Sequence, residues 1–477
     1  MEQNQMKKKE QFIFAWGDVF GGGAQALIGV LYLIFLTDVI GINPAIAATA
    51  ILVSKVWDAV SDPLMGIISD NTRSKFGRRR PFILFGGFMV IIAFALMWMP
   101  IGGWQSETGK VLFAVTTYLF YSTVSTVIAV PYSSLSAEIT TNVKERNHVN
   151  VLRLVVSTLA TAICTLIPAM ILELYKAGTI GIETFYLVVG VGFGLFFALP
   201  LILIGVFTKE RVVVPEVKSV FEVKTFVKPL KVKAFRGLTY MYLCQSISMD
   251  ILSAGIIYYA LYVVKGSPTI FLGTFIGVQL LMFPIINKLV NKIDKKKIYY
   301  TGLPIAIIGF IMVGLYPSNW PVVGAYALTA VTAFGFAGAQ LMSWIIFPDA
   351  VDAGELKLNE RPTGSFSGIM TFIRKTASAI AIQIFGIMLF VSGYVKPTTE
   401  EVLPVQPEGA LLGIRLAMSL SFVILMTIGY MVARKFVLTN KISEEVRYFL
   451  KLRETTKDID FNENDLLRLK TLEKEIF

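Results

Sequence analysis

Gly66-Ile-Ile-Ser-Asp70-Asn-Thr-Arg73-Ser-Lys-Phe-Gly77-Arg78-Arg79-Arg80 is a short, strongly basic turn set between two apolar blocks, Ile46–Ile68 and Phe82–Ile101. Each block has the roughly 20 apolar residues that a helix needs to cross a bilayer core. A second basic turn, Asn287-Lys-Leu-Val-Asn-Lys-Ile-Asp294-Lys295-Lys296-Lys297, closes another such block, Ile270–Leu289. It is a degenerate copy of the first, and it follows the eighth block as the first follows the second. The pair predicts a membrane chain built as two repeats of six helices.

Working outward from the two turns gives twelve blocks, near Phe12–Val39, Ile46–Ile68, Phe82–Ile101, Val111–Leu135, Val149–Leu174, Thr184–Phe207, Leu238–Val264, Ile270–Leu289, Ile298–Tyr316, Val322–Phe347, Phe366–Val391 and Leu411–Val437. Of 477 residues 55% are hydrophobic and 16% charged, with a mean hydropathy of +0.66. A water-solvated surface carries more charge than that. The expected architecture is an all-α membrane protein of twelve transmembrane helices. Its halves are 12–207 and 238–437, flanked by a cytoplasmic N-terminus (1–11), a polar cytoplasmic linker (208–237) and a cytoplasmic tail (438–477). Parallel six-helix repeats are the plan of the major facilitator fold, and the 66–80 turn resembles that superfamily's Gly…Asp…Arg…Gly-Arg loop.

Lys and Arg outside the spans set the orientation, because cationic loops stay on the cytoplasmic side. Of the 44, most lie in Lys7–Lys9, the Arg73–Arg80 turn, the linker, the second basic turn and the tail, while the alternate loops hold only Lys110, Lys176, Lys265 and Lys396. Both termini are therefore expected inside a cell (plasma) membrane. The net charge of +11 sits on the face that meets anionic lipid headgroups, so no nucleic-acid partner is needed to explain it. Cys164 and Cys244 stand in separate apolar spans and read as buried small hydrophobes. The N-terminal apolar run is too long for a signal peptide. In the tail, Ile442, Val446, Phe449 and Leu450 have helical spacing, which predicts a short amphipathic helix on the inner face.

Ionisable groups at membrane depth cost about 2.5–3.5 kcal/mol each on insertion scales, and each needs a reason. The sharpest case is Ser54-Lys55-Val56-Trp57-Asp58-Ala59-Val60-Ser61-Asp62-Pro63 in the second span. Asp58 and Asp62 are four apart on one helical face, and Lys55 lies three before Asp58. Two carboxylates with the Ser61 hydroxyl offer hard oxygen ligands for Na+ or Li+, or a site for H+. The bland alternative is a Lys–Asp pair that only locks helices together. Arg374 and Lys375 in the eleventh span could neutralise the acids from the other half. Arg153 in the fifth span is a further in-span cation, which could instead snorkel to the interface. Asp70 with Arg73 and Arg78 reads as a gating latch on the basic turn, or simply as a topogenic loop. Glu355, with Lys357, Asn359 and Arg361, reads either as a latch or as a solvated cluster. Gly21-Gly22-Gly23 permits close helix packing. His148 reads as a solvated loop residue. No nucleotide-binding loop, Cys/His metal cluster or nucleophile–base set is present, so neither ATP-driven pumping nor enzymatic activity has positive support.

The segment from Lys55 to Gly66, with its Trp57-Asp58 and Asp62-Pro63 pairs, resembles the glycoside–pentoside–hexuronide:cation symporters, the family typified by the melibiose permease. Thr37-Asp38, Thr72-Arg73, Gly77-Arg78, Val130-Pro131-Tyr132 and Asp352-Ala-Gly354-Glu355-Leu-Lys357 extend the resemblance over about residues 10–437. It implies import of a sugar or glycoside with Na+, H+ or Li+, and no other cofactor. The family's cation site falls on Asp58 and Asp62, with Thr126 as a hydroxyl ligand, Lys375 as the nearby basic partner, and Ser61 where the melibiose permease has Asn. Its two sugar-gripping carboxylates fall on Gly22 and Ala129, and one of its aromatics falls on Gln340. Arg153 and Thr371 match sugar-site positions. Gln25 offers a further hydrogen bond, and Tyr121, Tyr132 and Trp344 are available aromatic platforms. With no acid at position 22, Arg153 is open to an anionic substrate such as a uronide unless Asp18 satisfies it.

The expected function is thus a secondary active transporter importing a sugar, glycoside or uronide coupled to a monovalent cation by alternating access. Its partners are that small molecule, the cation and membrane lipid, with no oligomer required. The alternatives are an uncoupled sugar uniporter, a lysolipid or amphiphile carrier of the same fold, and a non-transporting sensor.

Overall fold

The computed structural model of the protein describes residues 6–140, 142–211, 227–290, 292–358, 363–397, 403–455 and 463–476. Twelve helices among them are long and apolar enough to cross a membrane: α1 (Lys8–Val39), α2 (Pro44–Asn71), α3 (Arg80–Met97), α4 (Glu107–Ser136), α5 (His148–Lys176), α6 (Ile182–Phe207), α7 (Lys233–Val263), α8 (Pro268–Val290), α9 (Lys295–Leu315), α10 (Val322–Leu358), α11 (Ser365–Val391) and α12 (Glu408–Lys435). Two tail helices follow, α13 (Asn440–Thr455) and α14 (Glu463–Ile476). All regular elements among the described residues are helical, as a bilayer demands of a chain whose backbone must satisfy itself.

The helix ends follow local chemistry. Asn43 caps α2 by accepting from the Ala45 amide at 3.0 Å, with Pro44 in the first turn, where its missing N–H costs nothing. Ser106 caps α4 through the Gly109 amide at 3.0 Å. Outward faces carry bare apolar side chains, among them Leu195, Leu199 and Phe207 on α6, which suits contact with hydrocarbon.

The chain forms two compact units. In the first, α1 packs on α5, α2 on α4, and α3 on both α4 and α6. In the second, α9 packs on α10, and α10 also carries α13. The units do not divide at the linker: 253–273 and 379–414 belong with residues 1–221, and the second unit comprises 222–252, 274–378 and 415–477. The central linker residues, 212–226, lie outside those described.

A buried polar node ties part of α7 and the segment just past α11 into the first unit. Asp38 accepts from Lys176 Nζ at 2.7 Å and Tyr262 OH at 2.5 Å on one oxygen, and from Tyr394 OH at 2.7 Å and Thr37 Oγ1 at 2.8 Å on the other. Thr37 Oγ1 also lies 2.7 Å from Tyr258 OH. The Lys176 and Asp38 side chains are 1% and 0% exposed. The node sits where the chain leaves the regular α-helix, since Phe35–Val39 in α1 and Tyr259–Val263 in α7 are both π-helical. The extra residue in such a turn re-aims side chains, and it recurs at the same end of the first helix of each predicted repeat. Lys176, which the sequence puts in a loop, is in fact the buried last residue of α5.

The amphipathic tail helix forms as expected, but its apolar face meets protein. Val446 and Phe449 are buried, and Arg453 Nη1 donates to the Leu356 carbonyl at 2.9 Å. Asp349 on α10 is held by Lys295 Nζ at 2.5 Å and Arg447 Nη2 at 3.6 Å.

Candidate functional site

The two in-span acids of α2 face α4. Asp58 is buried, and its Oδ1 accepts a short hydrogen bond from Ser122 Oγ, which also lies 3.1 Å from the Ser54 carbonyl. One turn on, Ser61 Oγ is 3.1 Å from Thr126 Oγ1, and Thr126 donates to Asp62 Oδ1 at 2.8 Å. Asp58, Ser61, Asp62 and Thr126 are thus brought together, and Ser122 joins them. Helical geometry causes this: residues four apart on α2 (58 and 62) stand opposite residues four apart on α4 (122 and 126). Pro63 contributes as well. Lacking an N–H, it cannot close the ladder to the Ala59 carbonyl, which frees a backbone oxygen between the acids.

Chemically the cluster is a patch of hard oxygens with two carboxylates, which suits a small monovalent cation or a proton. Among the described residues no group of three or more His, Cys, Asp or Glu converges to hold a metal ion. Trp57, beside Asp58, donates its indole N–H to Thr123 Oγ1 on α4 at 2.9 Å. Lys55 reaches Gln25 Oε1 on α1 at 3.4 Å, whereas its spacing grouped it with Asp58. The long side chain leaves the flank of α2 toward the neighbouring helix instead. Lys375 and Thr371 lie on α11 in the second unit, the first half-buried and the second exposed.

Asp18 and Arg153 also meet. Arg153 Nε donates to Asp18 Oδ2 at 2.6 Å and lies 3.2 Å from Tyr132 OH, which itself donates to Asp18 Oδ2 at 3.0 Å. The guanidinium stacks over the Tyr132 ring at 4.5 Å. Its charge is therefore met within the first unit, by the acid one turn below Gly22. Gly22 itself is closed to any larger side chain, because an added Cβ would overlap Ser157 Oγ and lie 2.8 Å from the Ser157 carbonyl. Gly22→Asp is accordingly expected to destabilise the protein by about 1–3 kcal/mol or more. That would appear as a lower thermal midpoint of the detergent-purified protein. Tyr121 is 3% exposed and packs edge-on against Phe94 at 5.4 Å, so it belongs to the aromatic core between α3 and α4.

At the basic turn the buried guanidinium is Arg79, a residue the latch reading passed over. Arg79 pairs with Asp70 and, at 3.2 Å, with Glu138, while Arg78 pairs with Glu138 too. Glu138 lies two residues past Ser136, where the helix of α4 continues beyond the span, and nothing in the local sequence marks it. Arg73 is exposed and donates to the Asp70 and Thr72 carbonyls at 2.8 and 3.0 Å. The turn itself needs Gly77, whose φ is +99°. Glu210 then accepts from the amides of Arg78, Arg79 and Arg80 at 2.9, 2.8 and 3.1 Å, a carboxylate seated on the positive end of α3. Glu355 is half-buried on α10, and Lys357 Nζ donates to the Lys231 carbonyl at 2.8 Å. Asn359 and Arg361 lie outside the described residues.

In the second unit, Arg374 Nη2 donates to Asp250 Oδ1 on α7 at 3.2 Å. The sequence reading left out Asp250, although an in-span acid is itself the signal that would have found it. Gln340 and Trp344 lie one turn apart on α10, and Trp344 packs edge-on against Tyr242 at 5.3 Å.

A family model described as MFS/sugar transport protein matches residues 13–440. The chain is 29% identical to the uncharacterized symporter YjmB of Bacillus subtilis (strain 168), over 87% of this chain and 88% of that one. It is 26% identical to the glucuronide carrier protein homolog of Escherichia coli (strain K12), over 91% and 93% of the two chains. Its fold is similar to that of the inward-open xylose transporter XylE from E. coli, with a TM-score of 0.59 at 14% identity, covering 92% of this chain and 99% of that one.

Proposed function

The chain belongs to the MFS/sugar transport protein family, and from that premise we propose that it imports a sugar or glycoside by alternating access, coupled to one monovalent cation held by Asp58 and Asp62. Family membership makes it a multi-pass membrane transporter rather than an enzyme. The observation that carries the coupling is the oxygen cluster between α2 and α4, where Ser122, Ser61 and Thr126 are arrayed along two carboxylates.

Coupling follows from charge. Two bare carboxylates are expensive to occlude at membrane depth, and a bound Na+, Li+ or H+ removes that cost. The sugar then binds beside a neutralised site, and the loaded transporter can reorient. A uniporter would have no need of both acids, and a symporter among the relatives also favours coupling. Arg153 is satisfied by Asp18, which supports a hydroxyl-binding role for it over recognition of an anionic group. We place the protein in the plasma membrane with both termini cytoplasmic, on the distribution of Lys and Arg between alternate loops.

The test is uptake into proteoliposomes of a panel of hexosides, pentosides and uronides under imposed Na+ or H+ gradients. Accumulation of one panel member above equilibrium with one gradient is expected. Equilibration without accumulation under either gradient would instead establish a uniporter. Replacing Arg153 by Gln is expected to reduce uptake of neutral and acidic glycosides by the same factor, and a selective loss of uronides would return Arg153 to anion recognition.

A further inference from the structure

Neither position 22 nor Asp18 offers a free acid to a sugar, since Gly22 is packed against Ser157 and Asp18 is engaged by Arg153. The second unit does present one. Asp250 stands near the middle of α7 with Oδ1 on Arg374, and its Oδ2 is buried without a hydrogen-bond partner among the described residues. An unpartnered carboxylate oxygen inside a span is costly enough to need a ligand. Gln340 Oε1 on α10 is likewise buried and unpartnered. One turn away Trp344 is 60% exposed and packs edge-on against Tyr242, which stands on α7 two turns before Asp250. The Arg374 and Asp250 side chains are 33% and 21% exposed. Charged groups within a span characteristically face the bundle interior or a water-filled cavity.

We propose that Asp250, Arg374, Gln340 and Trp344 form a subsite that grips the hydroxyls of a neutral sugar ring. The inference rests on the sugar-transport reading above. Asp250 Oδ2 accepts a hydroxyl proton, and the remaining guanidinium N–H groups of Arg374 donate to a neighbouring hydroxyl or ring oxygen. Gln340 accepts from a further hydroxyl. The indole of Trp344 takes the C–H face of the ring. Charge sets the class: the Arg374 charge is already balanced by Asp250, so a uronate or sulfonate brought here would meet the Asp250 carboxylate with that guanidinium already committed.

The experiment uses the full-length purified protein. A panel of methyl hexosides, methyl pentosides, disaccharides and glucuronate is screened by ligand-induced thermal shift, and the strongest responder is titrated calorimetrically. A neutral sugar is expected to bind, and Asp250→Asn, Gln340→Ala and Trp344→Ala are each expected to weaken it about 10- to 100-fold. The cation-induced shift that reports Asp58 should persist in all three. That persistence shows that the variants are folded. A second variant separates binding from support: exchanging the pair, as Asp250→Arg with Arg374→Asp, restores a merely structural bridge but not a sugar grip. Affinities within twofold of the original protein, recovery of binding in the exchanged pair, or a response to glucuronate alone would each overturn the subsite while leaving sugar transport standing. Failure of every panel member to bind the original protein would overturn both.

Discussion

Replacing Asp58 by Asn is expected to abolish accumulation of sugar against its gradient while the protein still folds and still equilibrates sugar across the membrane. Asn is nearly isosteric and still accepts the hydrogen bond from Ser122, so what is removed is mainly charge. At about 4 Å, and at the effective dielectric near 20 that suits protein sites, one unit charge is worth about 4 kcal/mol, or roughly a thousandfold in cation affinity. Asp62 is less buried than Asp58, and there the charge is screened more. Asp62→Asn should therefore lose less, about 10- to 100-fold in the cation concentration that half-activates uptake. Both are read in proteoliposomes with and without the imposed ion gradient. Undiminished concentrative uptake by both variants would remove the coupling assignment and leave the fold untouched.

The second large effect belongs to the node at Asp38. Lys176→Met leaves a carboxylate with 0% exposure and no cation, and breaking a buried pair from one side costs about 3–5 kcal/mol. The thermal midpoint of the purified protein should fall sharply. Asp38→Asn combined with Lys176→Met should recover most of that loss, because Tyr394 and Thr37 can still donate to the amide oxygen and the Tyr262 hydroxyl, which faces the other carboxylate oxygen, can accept from the amide N–H. A single variant as stable as the parent would show that the pair is solvated. The double variant tests whether charge, rather than packing, sets the cost.

How much of this was legible beforehand depends on the range of each interaction. Bilayer thickness imposes a length on every span, so twelve helices could be read from apolar runs alone, with ends displaced by a few residues. Asp58, Ser61 and Asp62 could be read because their relation lies within one helix. Ser122 could not, because its place opposite Asp58 depends on how α4 packs. Three consecutive arginines look alike in sequence, and it is the seating of Arg79 among Ser69, Asp70 and Glu138 that makes it the buried one. Asp38 and Lys176 stand at the ends of their spans, where a charge excites no suspicion, and their partners are tyrosines far along the chain. Asp250 is different. It is an acid in the middle of an apolar run, as open to reading as Asp58, but it stands with no second acid one turn away to mark it. The division into compact units was no more legible than the node, since hydrogen bonds to Asp38 come from Tyr262 on α7 and Tyr394 just past α11, both far along the chain.

Trp57 adds an optical consequence. Its indole is tethered to Thr123, the residue after Ser122, and it adjoins Asp58, so any cation that draws α2 and α4 together must change the field and hydrogen bonding of that chromophore. With Trp16, Trp98, Trp104, Trp320 and Trp344 replaced by Phe, the emission of Trp57 would report ion occupancy directly, without labels and before any sugar is identified.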